Sequence, residues 1–137
     1  MFKYVVVYSV ILIVMFLLDF IWLGYIAKSF YQNSMGHLMA ARPNFFVAFL
    51  FYAIFSVGLL IFAVAPHGAI NSWSTTFVTA ALFGFFAYAT YDLTNLATLK
   101  NWPISLTVVD IAWGTFVSGI SAVAGRSAWE WFATAIR

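Results

Sequence analysis

Four stretches of this chain run for more than twenty residues with almost no charge, and short polar segments separate them: Tyr4 to Ala27, Phe45 to Ala65, Phe77 to Leu99 and Ile104 to Ala124. A helix rises about 1.5 Å per residue, so each has the reach to cross a hydrocarbon core of about 30 Å. The pattern therefore predicts four membrane-spanning helices. Between the first two, Lys28 to Asn44 mixes Phe30, Tyr31, Met35, Leu38 and Met39 with Lys28, Gln32, Asn33, His37 and Arg42. That alternation predicts a short interfacial helix or ordered loop, ended at Arg42-Pro43-Asn44 because the residue before proline is pushed out of the helical region. Pro66-His67-Gly68 to Ser74 reads as an uncharged turn. Lys100-Asn101-Trp102-Pro103 reads as a tight one, which makes the last two spans an antiparallel hairpin. Arg126 to Arg137, with Trp129, Glu130 and Trp131, has the character of an interfacial tail or of an extension of the last helix to the headgroups. The fold class expected is an all-α integral membrane bundle of four transmembrane helices with a short interfacial helix after the first, forming one domain over residues 1–137.

Composition sharpens this. The chain is 65% hydrophobic and only 7% charged, with a mean hydropathy of +1.00, whereas a soluble domain is about 25% charged. The lipid bilayer is thus the first partner implied. Six basic residues are scattered along the chain and the net charge is +2, so they read as flanking anchors and no nucleic-acid partner is expected. Lys3, Arg126 and Arg137 fall on the side of the termini, against Lys28, Arg42 and Lys100 on the other. The positive-inside rule is tied and assigns no orientation. Lys3 followed by Tyr4 to Leu18 imitates a secretory signal, but Asp19 and the bulky Phe20-Ile21-Trp22 occupy the place of a cleavage site, so a retained first helix is expected. The sequence holds no cysteine, which excludes disulfides, thiolate metal sites and cysteine nucleophiles. His37 and His67 lack a second histidine at helical spacing, and neither a metal nor a cofactor is expected.

Three carboxylates break the apolar runs: Asp19, Asp92 and Asp110. Asp at the centre of a membrane helix costs roughly 2.5 to 3.5 kcal/mol on insertion scales, so it needs a partner, a proton or a role. Asp19 lies nine residues before Lys28, Asp92 eight before Lys100 and Asp110 seven after Pro103. At the helical rise each sits roughly 10 to 14 Å in from the same membrane face. Each also has a donor three residues on, Trp22, Asn95 and Trp113 respectively, hence on its own helical face. Because the first and last spans run in opposite directions, Trp22 is expected one turn nearer the loop face and Trp113 one turn nearer the terminal face. With no Lys or Arg expected at that depth, the three cannot all stay ionised. Protons, a bound cation, or donors such as Tyr52, Tyr88, Tyr91, Asn95 and the indoles must compensate. Small residues at Ala80 and Gly84, and at Gly114 and Ser118 beyond Asp110, let helix backbones approach closely.

The residues Leu18-Asp19-Phe20-Ile21-Trp22-Leu23-Gly24, Phe51-Tyr52, Tyr88-Ala89-Thr90-Tyr91-Asp92-Leu93-Thr94-Asn95-Leu96-Ala97, Trp102-Pro103 and Val109-Asp110-Ile111-Ala112-Trp113-Gly114 carry a resemblance to a known family. The chain resembles a bacterial inner-membrane family of about four helices, catalogued as domain of unknown function 2177, across nearly all its 137 residues. The resemblance implies a multi-pass protein of the bacterial inner membrane and supplies no activity.

Three functional readings follow from the residues. The first is transport or binding of a small cationic or polar solute, linked to protons or another cation, at a site built from Asp19, Asp92, Asn95 and Asp110 and lined by Trp22, Tyr52, Tyr88, Tyr91 and Trp113. Tyrosine and tryptophan faces suit a cation, and since four spans enclose little volume a homo-oligomer is expected. The second is structural, with each Asp acting as interhelical glue; such bonds average only about 0.6 kcal/mol in a well-studied case. The third is a small intramembrane enzyme, hydrolytic or acting on lipid. Tyr91-Asp92 is similar to a membrane aspartyl protease motif, but its Gly-x-Gly-Asp partner is absent, since Asp110 follows Val108-Val109. No glycine-rich phosphate loop or Ser-His-Asp order is present, so the residues lean away from catalysis.

Overall fold

The computed structural model describes residues 1–68 and 72–135, all of whose regular elements are helical. Helix α1, Phe2–Ile21, continues through a wide π-type turn, Trp22–Ile26. Helix α2, Lys28–Met35, follows after Ala27 and closes with a 3₁₀ turn, Gly36–Leu38. Helix α3, Phe45–Leu59, also runs into a π-type turn, Leu60–Val64, and a short 3₁₀ turn, Ala65–His67. Helices α4, Trp73–Thr98, and α5, Ile104–Ala135, complete the chain. Four of these segments, Phe2–Ile26, Phe45–His67, Trp73–Thr98 and Ile104–Ala135, are long and apolar enough to cross a membrane. The molecule is an all-α membrane bundle with α2 as the short helix expected after the first span.

Local chemistry sets the helix ends. Asn44 caps α3 by accepting from the Val47 backbone N–H at 3.2 Å. Ser72 caps α4 by accepting from the Thr75 N–H at 3.3 Å, so that span opens at Trp73, four residues before the expected Phe77. Side-chain oxygens at this position satisfy backbone donors that the first turn leaves free. Between α4 and α5 the chain reverses through Asn101 at φ 60°, a left-handed conformation that asparagine tolerates better than branched residues.

Beyond Ala124, the expected end of the last span, the tail takes the second of its two expected forms and extends the helix to Ala135. Arg126, expected as a headgroup anchor, is 1% exposed. It pairs with Glu130 at 2.9 Å, donates to the Ser72 carbonyl at 2.7 Å and to Thr76 Oγ1 at 3.0 Å, and lies 5.1 Å from the centroid of the Trp73 ring. A buried guanidinium is tolerable when its donors are met by acceptors and a counter-ion in this way. It clasps the start of α4 to the far end of α5. Arg137, counted among the terminal cations, and residues 69–71 of the expected second turn lie outside the described residues.

Packing follows ridges of residues spaced by four, the rows that interlock between helices. Val7, Ile11 and Met15 are fully buried on α1, and Asp19 is the next member of the same row. Thr76, Ala80, Gly84, Tyr88 and Asp92 form such a row on α4, and Leu106, Asp110, Gly114, Ser118, Ala122 and Arg126 on α5. A side-chain carbon added to Gly84 would collide with the Gly114 carbonyl and with Ser118, and one added to Gly125 would collide with Ile11. The rows that weld the bundle therefore also carry its aspartates inward. At the loop end a second cluster joins Ala27 and Tyr31 to Trp102 and Leu106, which seats α2 across the mouth of the bundle.

Candidate carboxylate cavity

Asp19 stands seven residues before the end of the first span, Asp92 six before the end of α4 and Asp110 six after the start of α5. At the helical rise all three lie about 9 to 11 Å in from the loop ends of their helices, the common layer expected from counting residues. All three line one cavity of about 630 Å³, together with Tyr31, Tyr52, Tyr88 and Tyr91. Among the described residues no three acidic or histidine side chains approach closely enough to hold a metal ion together, so the carboxyls border a shared space without meeting at a point.

Their partners differ. Asp19, 4% exposed, accepts from the Trp113 indole N–H at 2.6 Å, and the Tyr52 hydroxyl lies beside the same carboxyl. Asp110 accepts from the Tyr31 hydroxyl at 2.5 Å, and Tyr31 in turn accepts from the Trp22 indole at 3.3 Å. Asp92 is fully buried, and neither of its oxygens receives an N–H or O–H from a described residue. The group it sits against is the carboxyl of Asp110. Two carboxyl groups in contact satisfy each other only through a proton held between them. The Asp92–Asp110 pair is thus the place in the bundle where a proton or a cation is needed to close the hydrogen bonding.

The aromatic groups sort into those facing the space and those behind it. Tyr88 is held over Gly114, where any side-chain carbon would strike its ring, and its hydroxyl is within electrostatic reach of Asp19, Asp110, Tyr52 and Tyr31. Trp22 and Trp113 do not line the cavity; they stack with centroids 4.4 Å apart and planes 5° from parallel. This corrects the expected separation of the two indoles by depth. Side chains tilt toward the N-terminus of their own helix, so on antiparallel helices two residues displaced in opposite directions converge. The donors also exchange roles, Trp113 serving Asp19 and Trp22 serving Tyr31. Asn95 lies half-buried beside Tyr91, one turn beyond Asp92, and is not part of the cavity wall.

Among the wall residues that the sequence did not single out, α2 supplies three with polar groups, Lys28, Tyr31 and Gln32. Tyr31 is buried. Burial first, and then its hydrogen bond to Asp110, hold its hydroxyl well above the ordinary tyrosine range, so it remains a neutral donor at any physiological pH. Exposed Lys28 places one cation on the wall, at the edge nearest the loop face, where none had been expected. The only sequence signal for this was the spacing of Ala27, Tyr31 and Met35, an apolar stripe at four-residue intervals within a segment that reads as surface.

The model of a family described as predicted membrane protein (DUF2177) matches residues 4–127. No curated protein and no solved structure gives a match.

Proposed function

The chain belongs to this family of predicted membrane proteins, and we propose that its carboxylate cavity binds a small cationic or polar solute and carries it across the bilayer, linked to protons or another cation. The observation that carries this reading is Asp92, a fully buried carboxyl with no described donor, set against a second carboxyl on the wall of a 630 Å³ cavity. Cavities of this size hold small molecules of about 300–1,000 Å³ sites. A carboxyl pair that shares a proton can exchange that proton for a bound cation, which is the elementary step of proton-linked binding. Tyr31, Tyr52, Tyr88 and Tyr91 supply the ring faces and hydroxyls that a cation or polar group would meet.

The structural reading is favoured for Asp19 and Asp110, each of which has an indole or phenol donor. It does not account for Asp92, because glue requires a donor on the other side. The cavity lies within one chain, so binding is assigned to the single chain, and the homo-oligomer belongs to the transport step, where a second copy would supply a wall to move against. On this reading the protein works in a bacterial inner membrane.

The test is uptake of tetramethylammonium, which is permanently charged and leaks poorly through lipid, into proteoliposomes carrying a proton gradient. Asp92→Asn is expected to abolish uptake while leaving helix content and monodispersity unchanged. Uptake preserved in that variant overturns the proposal.

A further inference from the structure

The cavity is not closed on all sides. Apart from its acids, tyrosines, Lys28 and Gln32, its wall is apolar, and three of its residues, Phe51, Phe55 and Ala87, also belong to a second space of about 480 Å³. This second space is a groove between α3 and α4, lined only by apolar residues such as Ile61, Phe62 and Phe83. The groove lies on the outer surface of the spans, where Ile61 and Phe62 are more than half exposed. An apolar groove open to lipid thus adjoins, across Phe51, Phe55 and Ala87, a chamber walled by three carboxyls.

Resting on the reading that the carboxylates bind a cation, we infer that the ligand is a single-chain amphiphilic cation, an alkylammonium admitted sideways from the bilayer, with its head among the aspartates and its tail along the α3–α4 groove. Charge complementarity fixes the head: three acids face the space and Lys28, at the edge, is the one basic side chain on the described wall. An anionic lipid head would meet carboxylates, and a neutral sugar head would leave them uncompensated. Continuity fixes the tail, because a chain attached to a head beside Asp92 has the groove past Ala87 as its apolar way out. The tail gains little on moving from lipid to groove, since both are apolar. Selection of the tail is therefore a matter of admission, decided at the junction rather than by added affinity.

A residue of the groove alone makes the inference testable. Ile54 is exposed and lines the groove but not the cavity, so Ile54→Trp would plug the groove beside Phe55 with bulk that enters neither the packed core nor the carboxylate site. Binding of dodecyltrimethylammonium and of tetramethylammonium would be measured on the full chain in phosphatidylcholine nanodiscs, with protein-free nanodiscs subtracted. The expected result is that Ile54→Trp weakens the long-chain cation by about tenfold or more and leaves the short one within about twofold, whereas Asp92→Asn weakens both. Equal effects of Ile54→Trp on the two cations, or none on either, overturn the lateral route and leave the carboxylate reading standing. Unchanged binding of both by Asp92→Asn overturns the carboxylate reading itself. Should Ile54→Trp not fold, a dodecyl cation with a terminal diazirine, photolysed on the unaltered chain, decides instead. Adducts at Ile61 or Phe62 in the turn after α3, or at Phe83 on α4, support the groove, and adducts confined to other faces contradict it.

Discussion

Asp19 and Asp92 carry the same group in the same layer, yet the structure gives them opposite roles in stability. Asp19 completes the hydrogen bonding of Trp113. Removing the carboxyl leaves that indole N–H without its acceptor, which typically costs about 1–3 kcal/mol. Asp92 completes nothing that the described residues offer, and an amide in its place can donate to Asp110 without a proton. Asp19→Leu is therefore expected to lower the unfolding midpoint in a detergent titration, while Asp92→Asn holds or raises it; a loss for Asp92→Asn equal to that for Asp19→Leu would contradict the assignment. The layer itself was legible from counting residues to the nearest polar turn, because helical rise is uniform. Which donor serves which acid was not, because that depends on side-chain tilt across two helices, as the exchange between Trp22 and Trp113 demonstrates.

At the scale of elements, the small residues decide how closely α4 and α5 meet and so where Tyr88 and Asp92 stand. A methyl at Gly84 would meet the Gly114 backbone carbonyl, which cannot move without the helix, whereas a methyl at Gly58 would meet only the tip of the Phe83 ring. Gly84→Ala is thus expected to destabilise by about 1–3 kcal/mol, the usual cost of overpacking, and Gly58→Ala by clearly less, as read from their unfolding midpoints in the same detergent. Comparable losses would mean that α4 and α5 have slack at this contact. The four spans and the closing hairpin were readable because long apolar runs leave few alternatives in a bilayer. The burial of Arg126 near the end of α5 was not: with Glu130 and the tryptophans it looks like part of a headgroup segment until Ser72 and Thr76, more than forty positions away, supply acceptors for the guanidinium. For the same reason α2 read as surface. Its buried face exists only because Trp102 and Leu106 fold back to meet it.

For the molecule as a whole, the four-residue rows that pack the bundle end, at the loop side, in three acids around a space instead of in a sealed core. Packing and site are one construction: the same ridges that place Ile11 against Gly125 and Gly84 against Gly114 place Asp19, Asp92 and Asp110 around the cavity. On the proposed function, Asp92 and Asp110 hold a proton between them that a cation can replace. Infrared difference spectroscopy of the protein in lipid measures this directly, through the carbonyl stretch that only a protonated carboxyl gives. Tetramethylammonium is expected to remove such a band from the unaltered protein, and the change is expected to be absent in Asp92→Asn. A band that ignores the cation, or a response that persists in Asp92→Asn, would contradict it.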